Sequence, residues 1–231
     1  MNKKILNIIF VVMFFAGCDL PQKDINYPPS GLPNDGLANV QKYEDVFVQS
    51  APGTFEVNTN QEMFLSEYGY TLWCEKHHNS TDLFIPMKVE IEKLAGRTEG
   101  GYGIVFCALT ESENKNYLLT VMINNDQKYN IGKVKNGIFT TLSNGWQQCL
   151  YLKSGLNMKN TIEVQYVQND EDNPEHNRKF EVKLNGHVVM YFNDPAVYEP
   201  AFKNTNYGYV VVITPYEDFS KSRIWVKFKD I

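Results

Sequence analysis

The sequence contains few of the residues that build metal centres and no surplus of the charge that binds nucleic acid. Its 231 residues include four histidines and four cysteines, so a large metal-binding cluster is difficult to assemble. The formal net charge is −5, so basic side chains are not in excess for neutralising phosphates. We therefore expect no nucleic-acid partner, no metal site and no cofactor.

The sequence also lacks an apolar run long enough to cross a membrane in the mature protein, although a short run stands at its start. Two lysines precede the apolar residues 5–15, and the small residues Ala16 and Gly17 follow them. A positive start, a short apolar core and small residues before a cleavage point are the parts of a secretory signal. We therefore predict that residues 1–17 are a signal peptide.

The sequence Phe-Ala-Gly-Cys at residues 15–18 resembles the lipobox of bacterial lipoproteins. The resemblance implies cleavage before Cys18 and attachment of lipid, palmitate included, to its sulfur and new amine; several acyl chains together anchor a protein stably. It implies a location in the cell envelope, with the outer membrane or cell surface favoured. Asp19 resembles the inner-membrane retention signal of enteric bacteria, so the leaflet stays open. The alternative is an ordinary signal peptide in which Cys18 occurs by chance.

Residues 18–54 show no sustained periodicity and are punctuated by proline and glycine. Such a composition cannot bury enough apolar surface to offset the entropy lost on ordering, which predicts a flexible tether between the membrane and the domain. The alternative within it is a short docked helical piece at residues 37–48. The folded domain is predicted to occupy residues 55–231.

The folded domain alternates short apolar runs with turn signals and offers no long amphipathic helix. In residues 87–94 the apolar residues alternate with charged ones, as in a strand that buries one face. Asn136-Gly137 and Asn185-Gly186 predict tight hairpins, because both central residues of such turns need a positive φ. The succession predicts an all-β fold of antiparallel strands. The inward residues of the second hairpin are expected to be Phe180, Val182, Leu184, Val188, Met190 and Phe192.

Several of these segments together resemble the concanavalin A-like lectin/glucanase superfamily. The motifs are Gly-Gly-Tyr-Gly-Ile-Val-Phe at 100–106, Tyr-x-Leu-x-Val-x-Ile at 117–123, Tyr-x-Ile-Gly-Lys at 129–133, Asn-Thr-Ile-x-Val at 160–164, Phe-x-Val-x-Leu-Asn-Gly at 180–186 and Phe-x-Asp at 192–194. The likeness covers roughly residues 80–231 and is nearest to the laminin-G-like and glucanase-like domains of bacterial secreted proteins. It implies an antiparallel two-sheet jelly-roll sandwich. The motifs are structural, so they say little about activity.

Glycoside hydrolases of this superfamily carry carboxylates at alternate positions of one strand, and this sequence has no Glu-x-Asp-x-Glu motif. Glu90 and Glu92 alternate in that way, but Lys88 shares their face, which is typical of a solvated surface. Neither a Gly-x-Ser-x-Gly motif nor a Cys/His/Asn arrangement indicates a nucleophile. We therefore name no catalytic residue, and the sequence favours a protein that is not an enzyme.

Two polar clusters contain side chains that can ligate a metal ion. Residues 170–175 concentrate carboxylates, but their spacing fits no calcium loop, and a solvated hairpin connection is favoured. Cys74, His77 and His78 include metal-binding side chains, but neighbouring histidines along a strand point in different directions. The favoured interpretation is that residues 74–78 form a loop whose polar side chains bind no metal.

Three cysteines remain in the exported domain once Cys18 is set aside: Cys74, Cys107 and Cys149. Two arrangements fit the sequence: one disulfide with one free thiol, or three buried thiols. Cys107 follows Phe106 in a strand that is apolar on both faces, which favours an inert core thiol.

Two aromatic residues alternate with inward-facing neighbours and are the candidate ligand-binding residues. Trp225 falls between the apolar Ile224 and Val226, and Tyr191 falls between apolar neighbours of the second hairpin. Flat aromatic rings on a sheet face are what a sugar ring packs against. The alternative is that Trp225 is covered by other parts of the chain. Trp73 and Trp146 are expected to be core residues.

The leading functional hypothesis is a membrane-anchored lipoprotein with a non-catalytic binding domain, whose ligand is a carbohydrate. One alternative is a glycoside hydrolase of the glucanase-like type, which predicts two carboxylates facing each other across a cleft. Another is a structural or adhesive surface protein that binds other proteins, which predicts an exposed apolar patch.

Overall fold

The computed structural model describes residues 40–59, 70–78, 86–112, 115–168, 178–194, 206–213 and 224–231. The predicted signal peptide, Cys18, residues 18–39 of the predicted tether and the acidic run 170–175 lie outside this part of the chain. Within it, no helix has the length and apolar character needed to span a bilayer.

The strands are β1 (Val40–Lys42), β2 (Phe47–Ala51), β3 (Thr54–Thr59), β4 (Tyr70–Trp73), β5 (His77–His78), β6 (Met87–Ala95), β7 (Tyr102–Ser112), β8 (Lys115–Ile123), β9 (Lys128–Lys135), β10 (Ile138–Thr141), β11 (Gln147–Gln148), β12 (Lys159–Gln168), β13 (Arg178–Leu184), β14 (His187–Phe192), β15 (Asn206–Ile213) and β16 (Ile224–Asp230). A short 3₁₀ helix spans Glu44–Val46.

The strands form two sheets. The seven-stranded sheet has the order β14-β13-β12-β6-β16-β3-β2, and all its pairings are antiparallel. The nine-stranded sheet has the order β1-β4-β15-β7-β8-β9-β10, with β5 beside β15 and β11 beside β9. Within the nine-stranded sheet, β1 and β4 run parallel. The prediction of an all-β, two-sheet antiparallel sandwich is confirmed.

The main core lies between the two sheets, and aromatic rings connect them. Tyr209 of β15 stacks on Phe228 of β16, with ring centroids 4.6 Å apart. Phe106 of β7 meets Phe180 of β13 edge to face at 5.4 Å. Each such pair stabilises a fold by about 0.5–1.5 kcal/mol beyond the apolar area that it buries. All four side chains are at most 2% exposed, so these contacts hold the two layers together.

The alternation predicted for residues 87–94 holds along β6 as far as Glu92. Val89 and Ile91 are buried in the core, while Glu90 and Glu92 are half-buried on the other face. The next inward position is occupied by Lys93, which is fully buried. Successive side chains of β6 therefore still point alternately inward and outward, but the inward-facing residue at position 93 is a lysine.

Both predicted hairpins are confirmed. Asn136 and Gly137 have φ values of 53° and 76°, and Asn185 and Gly186 have 49° and 82°, as tight primed turns require. One inward position of the second hairpin is wrong: Val188 is 41% exposed. A bulge between Val182 and Lys183 shifts the register, so Val188 pairs with the outward-facing Lys183.

Residues 40–54, which were predicted as part of the tether, form ordered structure. β1 pairs with β4 of the nine-stranded sheet, and β2 pairs with β3 of the seven-stranded sheet. Phe47 is 3% exposed and contacts the ring of Phe228, with centroids 6.3 Å apart. The alternative of a helical piece at residues 37–48 is also wrong over residues 40–48, where strands flank the 3₁₀ helix. The physical reason is long-range pairing, which local periodicity does not report.

The outer face of the nine-stranded sheet carries a second apolar cluster. Its buried members, each at most 8% exposed, are Trp73, Val105, Ala108, Leu118, Met122, Val134, Phe139, Val210 and Val212. Val40 and Trp146 pack against it. These outward-facing side chains of the nine-stranded sheet are therefore buried, whereas outward-facing residues of the seven-stranded sheet such as Glu90 and Glu92 are half-buried.

Candidate functional site

The two aromatic candidates share one face of the sandwich but do not form one site. Trp225 lies on β16 and Tyr191 on β14, both outward-facing on the seven-stranded sheet. Three strands separate β14 from β16 in this sheet. At about 4.8 Å per strand, the two strands lie about 19 Å apart across the sheet. Tyr191 is in register with the start of β6 and Trp225 pairs with Ala95 at its end, so the two residues are further apart than that. They must therefore be considered as separate sites.

The Trp225 side chain is held against the neighbouring strand β3. Its indole Nε1 donates a hydrogen bond to Glu56 Oε2 at 3.0 Å. Lys227, two residues along β16, places its Nζ 5.7 Å from the Trp225 ring centroid and 3.5 Å from Glu56 Oε1. The ring is half-buried and its orientation is fixed by these contacts.

Glu56 is the acidic group of this cluster and is charged over most of the pH range. Burial acts to raise the pKa of Glu56, but hydrogen bonds from Trp225, Ser50 and Lys227 and the charge of Lys227 outweigh it and leave the pKa below its usual value. The carboxylate is therefore a permanent acceptor at neutral pH.

A pocket of about 270 Å³ adjoins Glu56 where β2, β3 and the 3₁₀ helix meet. It is lined by Asp45, Val46, Val48, Ser50, Glu56, Asn58 and Thr59. The lining combines two carboxylates, an amide and two hydroxyls with two valines. We call Trp225 together with this pocket the Trp225 corner.

Tyr191 is 51% exposed, and its hydroxyl donates to Glu181 Oε2 at 2.6 Å. Glu181 also pairs with Lys183 at 2.7 Å and accepts a hydrogen bond from Gln165. Lys183, in turn, lies 3.5 Å from Glu163. The polar groups around Tyr191 are thus occupied by one another.

The carboxylates near Tyr191 are poor candidates for a catalytic acid. The hydrogen bond from Lys183, with further bonds from Tyr191 and Gln165, lowers the pKa of Glu181 despite some burial. A glycosidase acid needs a raised pKa in order to hold its proton at neutral pH. Glu90 is in an ion pair with Lys159 at 2.9 Å. In the described ranges, no group of three or more His, Cys, Asp or Glu side chains could hold a metal ion.

The three cysteines of the domain are buried free thiols. Of the two arrangements that fit the sequence, the structure therefore has the one without a disulfide. Burial raises the pKa of Cys74 to about 12, with Tyr209 and Lys76 lowering it in part, and burial also raises the pKa of Cys107. Both thiols are protonated at neutral pH and are unsuited to nucleophilic or metal chemistry.

Most of the pocket was missed by sequence reasoning. Asp45 and Ser50 fall in the segment predicted as tether, and Glu56 lies in a strand whose partner could not be identified from the sequence. One signal was available: Glu56 alternates with Phe55 and Val57, which places it on the outer face. Which outward residue lies beside Trp225 depends on the pairing of β3 with β16.

No protein-family model matches the sequence, and no curated protein is significantly similar to it. Several solved structures resemble it at low identity. A Bacillus licheniformis β-glucanase is 8% identical over 86% of each chain, with a TM-score of 0.47. A carbohydrate-binding module from Bacillus subtilis is 12% identical over 77% of this chain and 82% of that one, with a TM-score of 0.43. An alginate lyase of polysaccharide lyase family 7 is 10% identical over 80% of this chain and 81% of that one, with a TM-score of 0.41.

The chain is an all-β sandwich of two sheets, and the strand order and register given above show this fold directly. At such low identities and TM-scores, the similarity says nothing about which residues bind or what they bind.

Proposed function

We propose that this chain is an exported lipoprotein, anchored in a bacterial membrane through acylated Cys18, whose sandwich is a non-catalytic carbohydrate-binding domain. The proposed binding site is the Trp225 corner. The observation that carries the proposal is that the indole ring is fixed by Glu56 beside a pocket rich in oxygen acceptors.

The chemistry of the corner suits a sugar. The apolar face of a pyranose ring packs on the Trp225 indole, while its hydroxyls donate to the carboxylates of Glu56 and Asp45. Hydrogen bonds to an ionised acceptor are roughly twice as strong as those between neutral groups. Asn58 offers both a donor and an acceptor, so it serves hydroxyls of either orientation.

The size of the pocket limits the ligand. Its volume of about 270 Å³ lies just below the range of roughly 300–1,000 Å³ that is usual for small-molecule sites. The corner therefore suits one sugar unit, such as the end or a side branch of a glycan. A long polysaccharide chain would have to continue over the exposed face of the seven-stranded sheet.

A glycan array with the purified protein tests this proposal, using the variants Trp225→Ala, Glu56→Gln and Tyr191→Ala. We expect retention of a defined class of glycans, a large loss for Trp225→Ala and Glu56→Gln, and unchanged binding for Tyr191→Ala. Circular dichroism and thermal unfolding establish that each variant folds. Failure to retain any glycan, or retention that survives Trp225→Ala, would overturn the assignment.

A further inference from the structure

One loop exposes large apolar side chains on a backbone that is firmly held. The loop spans residues 149–158 and connects β11 to β12; we call it the apolar loop. Its two buried side chains, Cys149 and Leu152, are 4% and 1% exposed and fix it to the core. The remaining side chains do not contribute to the core, so their character is free to serve another purpose.

Side-chain amides from neighbouring strands and turns hold the loop backbone. Asn185 Nδ2 donates to the carbonyl of Tyr151 at 2.7 Å. Asn160 accepts from the backbone N–H of Lys153 at 2.8 Å and donates to its carbonyl at 3.1 Å. Asn125 donates to the carbonyl of Gly155. The loop is therefore pre-organised, and little conformational entropy is lost when its surface meets a partner.

Four large apolar side chains project from this rigid loop. Leu150 is 81% exposed, Tyr151 52%, Met158 44% and Leu156 37%. Exposed apolar side chains scattered singly are normal, but four within nine residues are a local concentration of the kind from which interaction surfaces are built. Tyr151 stacks on His187 of the β13–β14 hairpin with ring centroids 4.0 Å apart, which extends the surface to that hairpin.

The chain segment that contains the loop carries charge of one sign, although the exposed Asp126 directly follows Asn125, which bonds the loop. Between Asp126 and Glu163 the sequence contains five lysines and no acidic residue, although the whole chain has a net charge of −5. Lys128 and Lys153 are exposed, and Lys128 pairs with Gln148 at the start of the loop. Two of the other lysines are already in ion pairs, Lys133 with Asp194 and Lys159 with Glu90.

We propose that the apolar loop docks on the surface of an anionic phospholipid bilayer. Leu150, Tyr151 and their apolar neighbours enter the interface between headgroups and acyl chains, while Lys128 and Lys153 stay at the level of the phosphates. Tyrosine suits this position because its ring is apolar while its hydroxyl group is polar and can stay hydrated.

The inference rests on the proposed lipid anchor in one respect. Four side chains and two cations give weak binding on their own, but an anchor raises the effective concentration of the bilayer around the domain. The docked orientation of the domain then becomes the most populated one, although the surface contact is weak. This orientation determines which face of the sandwich points away from the membrane.

The test uses the full chain reconstituted in vesicles of phosphatidylethanolamine and phosphatidylglycerol. An environment-sensitive fluorophore is attached at Ser154→Cys in the loop or at Thr140→Cys, an exposed position of β10. The native domain cysteines are buried, so the new thiol labels selectively. The unsubstituted chain, treated alike, measures any labelling at Cys18.

We expect a blue shift and loss of quenching by aqueous iodide at Ser154→Cys, with no change at Thr140→Cys. Adding Leu150→Ser and Leu156→Ser should abolish the shift, whereas the matched pair Ile138→Ser and Ile231→Ser, exposed apolar residues outside the loop and the Trp225 corner, should leave it intact. If the vesicles retain the protein but neither fluorophore shows a blue shift or protection from iodide, the docking proposal is overturned while the lipid anchor stands. Protein that is not retained shows that the anchor has failed. If the blue shift occurs without vesicles and increases with protein concentration, the loop pairs with a second copy of the chain. That result would also overturn the proposal.

Discussion

The ammonium group of Lys93 donates a hydrogen bond to the carbonyl oxygen of Gly100 at 2.7 Å, although the lysine side chain is fully buried. It donates also to the carbonyl of Arg97, so one side chain holds both ends of the connection between β6 and β7. Burial lowers the pKa of Lys93 to about 8, with Glu99 and Asp126 opposing the shift.

This lysine predicts a particular dependence of stability on pH. Its pKa is about 8 in the folded protein and near the ordinary 10.5 in the unfolded chain. Between these values the unfolded chain holds the extra proton, so the free energy of unfolding increases as the pH rises through 8, by up to about 1.4 kcal/mol per pH unit. Below pH 8 both states are charged and the contribution is constant.

Urea unfolding of the wild type and Lys93→Met at about pH 7 and about pH 9.5 measures this contribution. The wild type should gain about 1–2 kcal/mol relative to the variant between these two conditions. Other titrating groups are present in both proteins, so they cancel in the difference. Identical pH dependence in the two proteins would contradict the assignment.

Glu56 and Trp225 predict a second titration, at acid pH. Because the pKa of Glu56 is lowered, its contribution to stability is present above the ordinary pKa of 4.5 and is lost as the pH falls through the lower folded value. The indole N–H signal of Trp225 in an NMR titration should therefore move with a midpoint below 4.5. Lys227→Met should raise that midpoint, whereas Lys229→Met, further along the same strand, should not. A midpoint at or above 4.5 in the wild type would show that the hydrogen bond is not maintained in solution.

Asn185 is predicted to matter more than Asn136, which occupies the same place in the other Asn-Gly turn. Both have a positive φ, so replacement of either by alanine costs about 1 kcal/mol of turn stability. Asn185 also bonds Asn160, the backbone of Thr161 and the carbonyl of Tyr151. Its loss should cost about 1–3 kcal/mol more.

Urea unfolding of Asn185→Ala and Asn136→Ala compares the two turns directly. Hydrogen exchange at the amides of Lys153 and Gly155 should accelerate in Asn185→Ala and stay unchanged in Asn136→Ala. Equal destabilisation with equal exchange would mean that the apolar loop is held without Asn185.

The hydroxyl of Tyr209 donates to Asp230 Oδ1 at 2.9 Å and so connects one sheet to the other. Burial, followed by the charge of Asp230, raises the pKa of Tyr209. Tyr209→Phe should destabilise the protein by about 1–3 kcal/mol, because a carboxylate loses a buried donor. Tyr191→Phe removes the same hydroxyl from an exposed site and should cost less than about 0.5 kcal/mol. Thermal unfolding of both variants checks the prediction, and an equal effect of the two would contradict it.

Sequence patterns predicted those elements whose cause is local. The Asn-Gly pairs at residues 136–137 and 185–186 require a backbone conformation that few residues adopt, so they located two hairpins. The exposure of Val188 was not predicted because a bulge changes the pairing register after the turn, and no residue type in the sequence indicates this bulge. The burial of Lys93 was missed because its two acceptors are backbone carbonyls, which the sequence does not display.

The sequence by itself determined the class of fold and the outward position of Trp225, because a strand alternates its side chains with a period of two whatever lies beside it. Tertiary structure decided which residues stand next to that tryptophan. Glu56 is 169 residues away along the chain, and Asp45 comes from a segment with no periodic signal. Pairing between distant strands is a property of the whole packed chain, since it depends on the burial of every strand at once.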